Sequence, residues 1–533
     1  MSGYEEQNLK IKNLYYNGKI YTQSNGIVVD SMVICKNRII AVGNNLQHDP
    51  DFKAYNKIDL KGRTVIPGLV DAHTHFYFMA LSLGRVSLDG VDTIEKCLNK
   101  IKKFSATLGK NEWVVGDGFS ADRLKKYVLP DKTLLDKVTG GRPAFIFSRD
   151  QHLAWVNSKA LELAGINGKT RQPKDGQIDH DINGEPTGIL REGGAYGRVY
   201  DLVKSPSKER INQLYQQALE LAYSRGVTGV HSFDSPEAFQ YFAELAEKGK
   251  LGLRINYYFP AVSLPILKKH KIFYGMGDDF LRVAGIKIFS DGALGSQTAL
   301  CFKNYPGTKN NGIATKTAEQ MHKEIKTAIS LGLPSAIHAI GDKAIDNVLT
   351  AFENLPQLHF GARHRIEHLQ LIRRKDIKRV KDMNIIASMQ PSQCPSDISI
   401  MRKYWPTQNK NAYIFRTLID KNIPLAFGSD APIEPLHPLD SIAAAVRRAK
   451  PRSNDVFNPE EKITIEEALY NFTAGPAFAV GQEHCRGYLM PGYPADFVVL
   501  SDDILKTAPS KLYDLKVLAT VLDGKVKYSK ISL

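Results

Sequence analysis

The run from Thr64 to His75 is apolar until it closes on Asp71, His73 and His75. In an extended strand alternate side chains share a face, so a His-x-His pair aims both rings at one point. Two neutral imidazoles converging at the end of a buried strand are the start of a metal site. With 14 histidines among 533 residues, one such pair arises easily by chance, so it needs partners. Four more residues qualify, each near the carboxyl end of another apolar run: Lys287 in 283–289, His338 in 334–340, His368 in 365–369 and Asp430 in 423–430. Singly, each has an ordinary reading. His338 or His368 could be a hydrogen-bonded core histidine, Asp430 a helix cap before Pro432, and Lys287 a lysine paired with a carboxylate. Jointly, six such residues at strand ends point to a metal site.

The elements that must position them follow from the pattern of the chain. Eight short apolar runs, at 64–75, 227–233, 253–259, 283–289, 334–340, 365–369, 384–390 and 423–430, alternate with helical stretches. That alternation predicts an α/β fold, a (β/α)8 TIM-type barrel with its active site at the carboxyl ends of the strands. Two further strand-like runs, 113–119 and 143–148, are assigned to an insertion at about 76–220. The barrel closes with a helix begun by the capping box Thr464-Ile-Glu-Glu467. Both ends of the chain are rich in short β-type runs with turn residues. Asn17-Gly18 predicts a two-residue hairpin, and a second hairpin turns at Lys36-Asn37. We therefore expect one small β-sandwich domain built from residues 1–66 and 476–533, around a barrel spanning 67–475.

Composition narrows the partners. The net charge is +15, but the lysines are dispersed. The densest basic run, Arg373 to Lys381, falls on a helix-like surface stretch without the interleaved aromatics of a stacking platform. No nucleic-acid partner is expected. No stretch of about 18 apolar residues suggests a membrane span. The first residues lack the basic and apolar blocks of a secretory signal. Five scattered cysteines without a Cys-x-x-Cys suit reduced thiols, so a cytoplasmic protein is expected.

The segments Pro67–His75, Gly285-Ile-Lys-Ile-Phe289, Ile337-His338, Glu367-His368 and Gly428-Ser-Asp430 together resemble the amidohydrolase superfamily. Asp291–Ser296, Trp155–Leu161, Gly184–Leu190 and Met389–Pro391 narrow the likeness to the branch of N-substituted formamide deformylases and AepA-like proteins. The resemblance covers nearly the whole chain. It implies two divalent ions, most often zinc. His73, His75 and Asp430 would hold one, His338 and His368 the other, and Lys287 would bridge them as a carbamate formed with carbon dioxide. An ammonium has no lone pair to offer two cations, whereas a carbamate has two anionic oxygens. The competing arrangement is a single metal beside an unmodified lysine.

The implied activity is hydrolysis of a carbon–nitrogen bond other than a peptide bond. A metal-activated hydroxide attacks an amide-like carbonyl, and Asp430 passes the proton to the leaving nitrogen. The small-molecule substrate would be an N-substituted formamide or an N-acyl amine. By family position His152, Asp291 and Gln390 would line its pocket, with the insertion lying over the strand ends. Two alternatives remain: the same metals used for ester hydrolysis, decarboxylation or isomerisation, and a non-catalytic regulatory protein of AepA type, against which the intact ligand set argues. A homodimer would follow family habit. The sequence departs from the branch at Gln297, where relatives often have Arg, at Gln393, where they often have His, and at Phe119, where they often have Trp. None of these is an expected metal ligand.

Overall fold

The computed structural model describes residues 12–109, 112–120, 124, 129–204, 206–358 and 361–533. All eight apolar runs contribute strands to one parallel sheet. They are β1 (Leu69–Thr74), β2 (Val227–Ser232), β3 (Arg254–Pro260), β4 (Leu281–Phe289), β5 (Ser335–Ala339), β6 (Arg365–His368), β7 (Ile386–Met389) and β8 (Leu425–Phe427). They lie side by side in chain order. The ends meet just past the strands. Thr74 bridges Ala431, the Asp430 amide donates to the His73 carbonyl (2.7 Å), and the His75 amide donates to the Ala431 carbonyl (2.9 Å). The sheet is thus nearly closed as a TIM-type barrel. Its strands are almost wholly buried, which is why they read as continuous apolar runs rather than alternating ones. Helices such as Pro236–Glu247, Ala318–Ser330 and Asp342–Phe352 connect one strand to the next. The Thr464–Glu467 capping box forms, with both reciprocal bonds in place.

The run 64–75 does not make a single strand. Thr64–Pro67 joins a sheet built from the chain ends, and Gly68 carries the chain across to β1. A side chain at Gly68 would collide with Thr228, whose Oγ1 would stand 2.3 Å from the added carbon. Two terminal sheets share one core. A four-stranded sheet supplies Tyr15, Met32 and Ile34; a six-stranded sheet, which includes Phe497–Leu500, Val517–Leu522 and Lys525–Ser529, supplies Val65, Phe497 and Val521. This is the expected β-sandwich. One local expectation fails. Lys12–Tyr16 and Lys19–Tyr21, either side of Asn17-Gly18, do not pair with each other. The first joins the four-stranded sheet and the second the six-stranded one, so the turn is a crossover between layers. The turn at Lys36-Asn37 does make a hairpin, pairing Cys35 with Arg38.

Residues Tyr77–Ala218 form a second compact unit. Its six-stranded sheet contains Val114–Phe119 and Ala144–Ser148 as parallel neighbours, and it has its own core around Ile146 and Trp155. The basic run is met by carboxylates: Arg373 and Arg379 share Asp346 and Asp376, Arg374 reaches Glu461, and Lys378 reaches Asp382. Among the described residues no helix is long and apolar enough to cross a membrane.

Candidate metal centre

The barrel brings the six ligand candidates together at the carboxyl ends of β1, β4, β5, β6 and β8. His73 Nε2 lies 3.4 Å from Asp430 Oδ1 and 3.4 Å from Lys287 Nζ. His75 Nε2 is 3.5 Å from the same Asp430 oxygen, and His368 Nε2 is 4.0 Å from the other. The His368 ring is 5.0 Å from that of His73 and 4.5 Å from that of His338. One ligand atom each from His73, His368 and Asp430 lies within 4.8 Å of the others. Lys287 is buried, its Nζ 4.5 and 5.0 Å from the ring centroids of Phe233 and Phe289. The backbone bends to achieve this. His368 and Asp430 both adopt left-handed φ values, 70° and 63°, which side chains other than glycine rarely take. In a regular strand Glu367 and His368 would face opposite ways; the turn at His368 lets both reach the His73 ring.

The protonation states suit a cation. Burial, reinforced by Lys287 for His73 and by His338 for His368, holds both imidazoles well below their ordinary pKa, so they are neutral and keep a lone pair. Burial also pushes Lys287 down to about 8.

Behind the ligands lies a polar core that the sequence reading did not assign. Glu367 Oε2 is 2.5 Å from His73 Nδ1. A carboxylate only accepts, so Nδ1 carries the proton and Nε2 offers its lone pair toward Asp430 and Lys287. Glu367 is in turn held through both oxygens by Arg365, which also donates to His231 Nδ1 (2.9 Å), the Ala72 carbonyl (2.6 Å) and the Ser388 hydroxyl. All of these residues are buried. One guanidinium therefore ties together β1, β2, β6 and β7. Asp71, also buried, accepts the amides of His73 (3.1 Å) and Ser429 (2.9 Å), and burial pushes its carboxyl up to about 7. Gly428 must lack a side chain, since an added carbon would stand 2.4 Å from the His73 amide.

The three substrate candidates sit in different settings. Asp291 is buried and accepts the amides of Leu300 (2.9 Å), Ile340 (3.1 Å) and Gly341 (2.9 Å), which fixes the loops after β4 and β5; burial nonetheless pushes its carboxyl up to about 7. Gln390 is fully buried behind His73, its amide nitrogen 3.3 Å from Nδ1. His152 belongs to the second unit, where its Nδ1 lies 2.9 Å from Glu192. Gln393, a departure from the family pattern, touches the centre: its amide donates to Asp430 Oδ2 at 3.2 Å. Gln393→Leu should lower kcat by about tenfold at unchanged metal content, the scale of one hydrogen bond to a charged group. Steady-state kinetics beside metal analysis would check this, and an unchanged kcat would mean that Asp430 holds its place without the amide.

The amidohydrolase family model matches residues 57–528. The chain belongs to the amidohydrolase family. This amidohydrolase is 32% identical over 538 aligned residues to the LONG AFTER FAR-RED 3 protein of Arabidopsis thaliana, covering 97% of this chain and 91% of that one. It is 27% identical over 499 residues to the N-substituted formamide deformylase of Arthrobacter pascens, covering 89% and 90%. Among solved structures, a metal-dependent hydrolase from Pyrococcus furiosus superposes with a TM-score of 0.75 at 31% identity, over 93% of this chain and all of that one. The amidohydrolase is therefore a metal-dependent hydrolase of carbon–nitrogen bonds, and the His73, His368 and Asp430 cluster lies where a barrel enzyme carries its chemistry.

Proposed function

We propose that the protein hydrolyses N-substituted formamides or related N-acyl amines, using divalent metal, zinc by preference, held by His73, His75, His338, His368 and Asp430. The observation that carries this reading is the His73 ring, with Nδ1 engaged by Glu367 and Nε2 facing Asp430 and Lys287. The donor set fits a cation. It offers neutral imidazoles and a carboxylate, and the buried His368 Nδ1 has no hydrogen-bond partner. Lys287 would complete it as a carbamate bridging two ions. Carbamate formation requires a neutral amine, and an ammonium whose pKa is pushed down to about 8 supplies one readily near neutral pH. When bound, the metal supplies acidity to water and positive charge for the oxygen of the attacked carbonyl. Asp430 accepts the water's proton and delivers it to the leaving nitrogen as the carbon–nitrogen bond breaks, giving a carboxylic acid and an amine. His75, one-quarter exposed where His73 is buried, stands on the solvent side of Asp430. The deformylase relative supports the choice of substrate class.

The test is metal content together with turnover of a panel of N-formyl and N-acyl amines. Bound metal with no turnover across the panel would overturn the substrate assignment. For the bridge, Lys287→Ala should halve the metal bound per chain and abolish activity. Unchanged stoichiometry and activity would leave the lysine outside the centre.

A further inference from the structure

Two phenylalanine rings stand near the Lys287 amine, and they differ in what covers them. Phe233 is buried, stacked on Tyr258 with ring centres 4.8 Å apart and set against the His73 ring at 4.5 Å. Phe289 is 44% exposed. A lone apolar side chain in water is ordinary on a protein surface. Beside a cluster of metal-competent residues it is a surface that a bound molecule can cover.

Strand geometry sets the direction of that ring. Alternate residues of β4 share a face, so Phe289 points the same way as Lys287, one step nearer the carboxyl end. Ile288 between them points away and is buried. His338 is the register partner of Phe289 on β5, and paired positions on neighbouring strands share a face as well. The rings agree with this: the Phe289 and His338 centres are 5.3 Å apart, with planes tilted by 35°. The Phe289 ring centre is 5.0 Å from Lys287 Nζ. The backbone here is held on several sides. The Phe289 carbonyl accepts the Thr315 hydroxyl (2.6 Å), the Ser290 amide donates to the His338 carbonyl (3.0 Å), and the Thr315 amide donates to the Ser290 carbonyl (3.0 Å). Phe289 is thus a fixed apolar surface, open to water, in contact distance of two of the six ligand candidates.

We propose that Phe289 is a specificity-determining residue, whose ring packs against an apolar substituent on the substrate nitrogen, close to the bond that breaks. Placing that substituent on nitrogen rests on the formamide reading, since a formyl carbon carries only hydrogen. Branched or cyclic apolar N-substituents are then preferred over a methyl group, because only the larger groups cover the ring.

N-cyclohexyl-N-hydroxyformamide and N-hydroxy-N-methylformamide test it. Both chelate metal through two oxygens and differ only in the substituent, so their affinities for the metal-loaded full chain isolate the contact. Calorimetry should find the cyclohexyl compound at least about tenfold tighter, the scale of burying a few methylene groups. Phe289→Ala should weaken that compound about tenfold, and should leave both the methyl compound and the metal content within about twofold of wild type. Phe289→Leu should keep most of the preference. No preference in the wild-type protein, a preference that survives Phe289→Ala, or loss of metal in that variant would overturn the proposal. Equal weakening of both compounds would do so too, since it would mean that the ring only shelters Lys287. The readout is affinity rather than turnover, so its failure is separate from any failure of formamide hydrolysis.

Discussion

Asp430→Asn should leave the protein folded and nearly inactive, with kcat reduced by about 10³-fold or more. The substitution keeps the size and shape of the side chain. It keeps one oxygen, which can still accept from Gln393, now at 3.2 Å. What it removes is the negative charge that faces His73 and His75 at 3.4 and 3.5 Å, and the capacity to hold a proton in transit. Positioned acid–base groups contribute about 10²–10⁴-fold, and the lost charge weakens the hold on the cation besides. The comparison should be made at matched metal occupancy, with circular dichroism and thermal midpoint recorded for both proteins. Turnover within a few-fold of wild type would remove Asp430 from the proton path.

Arg365→Met should cost about 3–5 kcal/mol of stability, because it strands the buried Glu367 carboxylate without its cation. The loss is concentrated in one side chain that holds four strands at once. Metal affinity should fall with it, by about 10–100-fold, since Glu367 is what aims His73. Urea unfolding measures the first effect and competition with a chelator the second. The double variant Arg365→Met with Glu367→Leu separates them. Removing both charges should return most of the stability, but His73 stays unaimed and affinity stays low. A single variant as stable as wild type, with metal bound as tightly, would show that the pair neither supports the barrel nor orients the ligand.

The barrel was legible because each of its strands is buried on both sides, so eight unbroken apolar runs stood out between helical stretches. The convergence of His73, Lys287, His368 and Asp430 was legible for a related reason: each alone has an ordinary reading, but such residues closing one buried run after another point to a single place. Arg365 and Glu367 were harder to place. They stand two apart in a short strand, and alternate charges of that kind ordinarily mark a solvent face. The available signal was their opposite sign inside Arg365-Ile-Glu367-His368, where a buried strand can carry charges only as a pair. Asn17-Gly18 misled for another reason. Turn chemistry specifies that the chain reverses locally, not which sheet receives the strand that follows. Asp291 and Gln390 are placed near the site by family position alone, and nothing in the sequence around them signals that both are buried.

The seam between β1 and β8 carries a consequence for how the chain comes into being. Asp71 and Ser429 are 358 positions apart, and the bonds that join them also set His73 opposite Asp430. During synthesis, a chain extended to residue 420 already has His73, His75, His338, His368 and Lys287, yet lacks Asp430 and the closing edge that faces it. His73 and His75 meet Asp430 only when the ring shuts. On the proposed ligand set, an ion held between these three side chains would mark that the last strand has found the first.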